Sequence, residues 1–145
     1  MGCFLCYTLT VKKLTNVKLN KLIWEEVKRI NRLHNLPICY TCGKQNLSGS
    51  NWQAGHGKAR SVLPLKGKND LRNIKSQCMR CNVDCGGMTD IFIAKLEKEK
   101  DGLDFLNEFC VKVNGYWEMK STPLMGSVDS WIYLTNLLDE YKKIV

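Results

Sequence analysis

Proline is scarce in this 145-residue sequence, with three in all, and no Pro-, Gly- or Ser-rich stretch is long enough to act as a linker. That excludes a string of tethered modules and points to one domain over residues 1–145. Histidine is scarcer still: only His34 and His56 can supply imidazole chemistry. Long apolar runs are missing as well. The longest, Gly2 to Leu9, is interrupted by Thr8. It falls far short of the ~18 residues of a membrane span and lacks the flanks of a secretory signal, so a protein that stays off the membrane and in the cytoplasm is expected. Met1-Gly2 opens like a lipidation signal, but Cys6 stands where a myristoylation pattern requires Ser or Thr, and an N-terminal strand is read there instead.

Acidic residues are nearly absent from the first part of the chain. Residues 1–82 carry 15 Lys+Arg against 3 Asp+Glu, whereas residues 83–145 carry 7 against 11, within a total of +8. A field of one sign over half of a small domain attracts polyanions, of which nucleic acid is the commonest. A merely soluble basic surface has the same composition.

Apolar residues at Leu19, Leu22, Ile23, Val27, Ile30 and Leu33 recur at helical spacing, and Asn35-Leu-Pro37 closes that helix. Lys18, Lys21, Lys28, Arg29 and Arg32 lie off the stripe and form a solvated face, with phosphate tracking as a second use. Asn51–Gly57 and Leu71–Gln77 each suit extended chain, with a Gly- and Lys-bearing loop between them. Beyond Gly86-Gly87, a helix containing Met88, Ile91, Phe92 and Leu96 is expected to break at Asp101-Gly102. Another carries Leu103, Leu106, Phe109, Cys110 and Val113. A last one starts near Ser127 as N-cap and buries Leu134, Leu137, Leu138 and Tyr141.

Cysteine is the exception to scarcity, with eight. Four of them form two pairs, Cys39-Tyr-Thr-Cys42 and Cys78-Met-Arg-Cys81. In a reducing compartment, two such pairs are the donor set of a structural zinc ion, because each pair converges its sulfurs within one turn and Gly43 permits the first knuckle. Cys3, Cys6, Cys85 and Cys110 are read as structural or incidental. Zinc held by four thiolates has no open position for water, so chemistry must lie elsewhere. His34, at the end of the first helix, suits the helix dipole and needs no other role. His56 closes a candidate strand between the two knuckles, where a neutral imidazole can take a proton from water.

The order CxxCG, then Ala54-Gly-His56, then Asn73-Ile followed by Gln77-Cys-Met-Arg-Cys-Asn82, then Gly-Gly before a helix resembles the phage NinG (Rap) recombination endonucleases, which are zinc-bearing HNH or His-Me-finger proteins. It is also similar to the phage endonuclease VII family. The resemblance covers Cys39 to about Gly115. It implies an α+β fold with a zinc-stapled ββα-metal core over residues 37–100, preceded by an N-terminal strand and basic helix over 1–36 and followed by a helical region over 101–145. It implies His56 as general base, Asn73 as the residue that orients the loop and the histidine, and Asn82 as a ligand of a catalytic Mg2+ or Mn2+. It further implies metal-dependent hydrolysis of DNA, selective for branched recombination intermediates such as D-loops and Holliday junctions, in the cytoplasm of a host cell.

Two positions depart from the family. Gly55 occupies the place of the usual carboxylate or imidazole ligand, so that either Asp84 substitutes or the metal rests on Asn82, phosphate oxygens and water, and Gly57 stands where an aromatic residue is usual. Lys58, Arg60, Arg72 and Arg80 flank the motif and are the candidate phosphate contacts. Symmetric cutting of a four-way junction calls for two sites, hence a homodimer through the C-terminal helices. The competing readings are a zinc-stapled DNA-binding module that has lost its nuclease site, for which Gly55 argues, and a zinc-dependent protein-interaction domain.

Overall fold

The computed structural model of the protein describes residues 13–145, so the N-terminal strand and Cys3 and Cys6 lie outside the described residues. The chain is α+β. Helix α1 (Asn16–His34) begins at Thr15, whose hydroxyl accepts from the Lys18 amide, and ends at Asn35. A polar loop leads to strand β1 (Gln53–His56). The single helical turn α2 (Leu65–Lys68) lies in the following loop, and strand β2 (Ile74–Gln77) returns antiparallel to β1 with Gln53 opposite Gln77 and His56 opposite Ile74. A π-helical turn, Arg80–Asp84, then leads to α3 (Thr89–Leu96) and α4 (Lys100–Phe109).

The next segment departs from the helical reading of the C-terminal region. The expected helix through Val113 stops at Phe109, and strands β3 (Cys110–Val113) and β4 (Tyr116–Met119) form a hairpin. Its turn is Asn114-Gly115, both at positive φ, the pair that a tight hairpin favours, and it outweighs the helical spacing of a few apolar residues. Gly102 does not break a helix either. It lies inside α4, where an added Cβ would come within 2.3 Å of the Leu96 carbonyl oxygen, so glycine lets α4 fold back against the end of α3. Helix α5 (Ser127–Lys142) starts one residue after its cap, Gly126, rather than from a Ser127 cap.

Two apolar cores result. Leu19, Ile23, Val27 and Ile30 of α1 meet Leu134, Leu138 and Tyr141 of α5, and Ala54 and Ile74 of the β1–β2 hairpin close this core from one side. Phe92, Leu96, Phe105, Leu106 and Phe109 join α3 to α4, with Leu63 and Cys110 beneath. Leu22 and Leu33, read as part of the buried stripe of α1, are exposed, while Asn31 is buried. Its amide reaches Ser76 on β2, which a leucine could not do. No described helix is long and apolar enough to cross a membrane.

Candidate metal centre and nuclease site

The four cysteine sulfurs of Cys39, Cys42, Cys78 and Cys81 lie within 4.8 Å of one another, the only such group of potential metal ligands among the described residues. Each knuckle is a short hydrogen-bonded turn. Gly43, at φ +77°, donates its amide to the Cys39 carbonyl, and the Asn82 amide donates to that of Cys78. Despite burial, which pushes the other way, the Thr41 hydroxyl and the amides of Cys78, Cys42 and Thr41 bring the Cys39 thiol down to about 6. Burial pushes Cys81 up to about 12. Four thiols this close cannot all ionise unaided, and a cation among them resolves the repulsion. The donor set, all soft sulfur, fits a metal such as zinc. Of the other described cysteines, Cys110 is buried, as core packing requires, but Cys85 is exposed.

The cluster is tied to the hairpin by a buried amide. Gln77 is fully enclosed, and its Nε2 donates to the Thr41 hydroxyl and the Gly87 carbonyl. Its Oε1 has no hydrogen-bond partner and lies 1.9 Å from where a Cβ on Gly55 would stand. The glycine at position 55 thus has a local cause: the Gln77 side chain occupies the space that any side chain there would need.

His56 ends β1, half-buried, with Nε2 3.0 Å from the Lys68 carbonyl oxygen and its ring stacked on Trp24 of α1 at 5.3 Å between centroids, 20° from parallel. A carbonyl can only accept, so Nε2 carries the proton and Nδ1 of the neutral ring keeps a lone pair. Burial and the nearby Arg60 charge hold its pKa below the ordinary histidine value, partly offset by the Lys68 carbonyl. Asn73, fully buried, grips the next residue from both sides: its Oδ1 accepts from the Lys58 amide at 2.8 Å and its Nδ2 donates to the Lys58 carbonyl at 2.9 Å. Gly57 makes room for this, since a Cβ there would stand 2.9 Å from both Asn73 Oδ1 and the Phe92 ring.

Asn82 is not brought opposite His56. Its Nδ2 donates to Gln53 Oε1 at 2.7 Å, and Gln53 starts the strand that His56 ends. Three residues of strand amount to ~10 Å, and alternation sends the two side chains to opposite faces. Asp84 does not repair the gap. It is exposed, and residues two apart in a helical turn project to opposite sides, so it does not converge with Asn82. Asp84 therefore does not join Asn82 in a magnesium site.

Of the expected phosphate contacts, Lys58 donates to the Trp117 carbonyl and so braces β4. Arg72 is neutralised between Asp70 and Glu108, an arrangement that raises its pKa further. Arg60 lies over the Trp24 ring and Arg80 is exposed, so these two remain available. Trp24, Lys68, Gln53 and Gln77 escaped the reading of the sequence. Of these, Gln77 stood inside the quoted motif without a role, and Trp24 left a signal in the four-residue steps from it to Lys28 and on to Arg32.

No family model matches the chain, and no curated protein or solved structure is significantly similar to it.

Proposed function

We propose that the protein is a zinc-stapled, metal-dependent DNA endonuclease of the ββα-metal type, acting on branched DNA. The observation that carries this reading is His56: an imidazole at the end of a strand, braced by an aromatic ring, with one nitrogen held on a carbonyl and the other left basic. A neutral, oriented histidine beside a basic surface suits deprotonation of water attacking a phosphodiester. Asn73 holds the backbone that follows His56, and Gly57 allows that contact. The zinc cluster fastens the opposite end of the hairpin.

Mg2+ or Mn2+ would polarise the phosphate and stabilise the leaving oxygen. Because Asn82 is turned to Gln53 rather than to His56, that ion would depend on the bound nucleic acid and water for its ligands. His56 takes the proton of the attacking water, and Arg60 is placed to meet the phosphate. A homodimer would supply a second site for a four-way junction.

The test compares wild type with His56→Ala on linear, forked and four-way DNA, with Mg2+ or Mn2+. Cleavage of branched DNA that drops by ~10²-fold or more in the variant supports the reading. Equal cleavage by both removes His56 from the reaction. Binding without cleavage under either ion favours a zinc-stapled DNA-binding module, for which the failure of Asp84 to converge with Asn82 speaks.

A further inference from the structure

A groove of about 590 Å³ runs between α1 and β1, from Asn82 to Trp24. Its wall on α1 carries Trp24, Lys28 and Arg32, spaced i, i+4, i+8 and so stacked on one ridge. Trp52 faces them, and its indole N–H is anchored on Ser76 Oγ at 2.7 Å. Arg32 spans the groove, donating to the Gly49 and Trp52 carbonyls at 2.8 and 3.1 Å, and its guanidinium lies 5.2 Å from the Trp52 ring centre. Carbonyls orient this cation without neutralising it. Arg29 also lines the groove but is occupied by Glu26 and by the Tyr141 and Ile144 carbonyls. Lys28 has only an exposed pairing with Glu25, which a bound anion can displace.

We infer that this groove holds a single, unpaired strand of DNA, with phosphates along Lys28 and Arg32 and a base against Trp52. A recessed aromatic needs a base whose face is free, and in a duplex those faces are stacked on their neighbours. Unpaired strands are recognised by just this pairing of cations with aromatic platforms. The groove also has a direction. Trp24 lines one end and stacks on His56, so a strand lying in it leads to the imidazole. The inference deepens the nuclease reading by naming its substrate element, the unpaired arm of a branched molecule, and it rests on that reading for the link to cleavage alone.

The experiment is titration of the zinc-loaded full chain with oligothymidylate, with duplex of equal length and oligouridylate as competitors, followed by tryptophan fluorescence at several salt concentrations. Quenching that weakens with salt, resists competition by duplex, and requires at least tenfold more oligothymidylate in Lys28→Glu/Arg32→Glu supports the groove. Unchanged affinity in that variant, or duplex competing as well as single strand, overturns it, and so does preference for oligouridylate over oligothymidylate. Zinc content and helical circular dichroism verify folding, and Arg32→Ala with Trp52→Phe provides a milder variant expected to weaken binding in the same direction. Binding that depends on the groove in a protein that never cleaves sinks the nuclease and leaves the groove standing, whereas cleavage indifferent to the groove variants sinks the groove alone.

Discussion

The two ends of the β1–β2 hairpin are held by different means. At the Gln53–Gln77 end, long-range side-chain bonds and four converging sulfurs draw in the first knuckle and the turn after β2. At the His56–Ile74 end, there is no metal donor set. Asn73 fixes the backbone, while Trp24 and Phe92 pack around it. A cysteine cluster that could hold a metal therefore organises one end and tertiary packing the other, where α1 and α3 supply the orientation.

Chelation or Cys81→Ser should have the largest effect on this contrast. Structural zinc contributes up to ~10 kcal/mol in small domains, so the zinc end should lose protection from amide exchange while α1 and α5, packed through their own core, retain more of theirs. Equal loss at both ends would erase the distinction. Next comes Gly55→Asp, which adds a carboxylate directly before His56. The clash with Gln77 should cost about 1–3 kcal/mol, read as a lowered denaturation midpoint, and Gly55→Asp combined with Gln77→Ala should recover part of it. Full tolerance of the single change would mean that Gln77 moves freely.

Asn73→Ala breaks the other end. It leaves the Lys58 amide and carbonyl without partners, a loss of ~1–3 kcal/mol, and should reduce any cleavage without altering zinc content. The smallest effect is that of pH. His56 has a folded pKa below its unfolded value of ~6.5, so the unfolded chain takes up the proton more readily. Stability should decline as pH falls through the unfolded value and level off below the folded one. The acid limb of cleavage should likewise lie below the ordinary histidine range. A limb at or above that range in wild type, or one retained in His56→Ala, would assign it to another group.

Much of the fold was legible in residue spacing. Leu19, Ile23, Val27 and Ile30 of α1, Leu134, Leu138 and Tyr141 of α5, and the β1–β2 pair follow from periodicity, since each reflects contacts that a single element makes along one face. The helix read through Val113 failed because a two-residue turn signal competed with a short apolar pattern. The candidate site was legible where its logic is local and illegible where it is not. Lys58 and Arg72 look alike to Arg60 and Arg80 in sequence, and only their distant partners, Trp117 and Glu108, distinguish them.

By itself, the sequence determined the metal cluster, because two CxxC turns carry their own geometry and need only meet. It also determined the charge asymmetry, which is a matter of composition. Only the tertiary structure decided that Asn82 turns to Gln53, that Gln77 fills the space above Gly55, and that α1 forms a groove leading to His56. Those outcomes depend on which distant surfaces pack together, and packing is a property of the whole chain rather than of any motif.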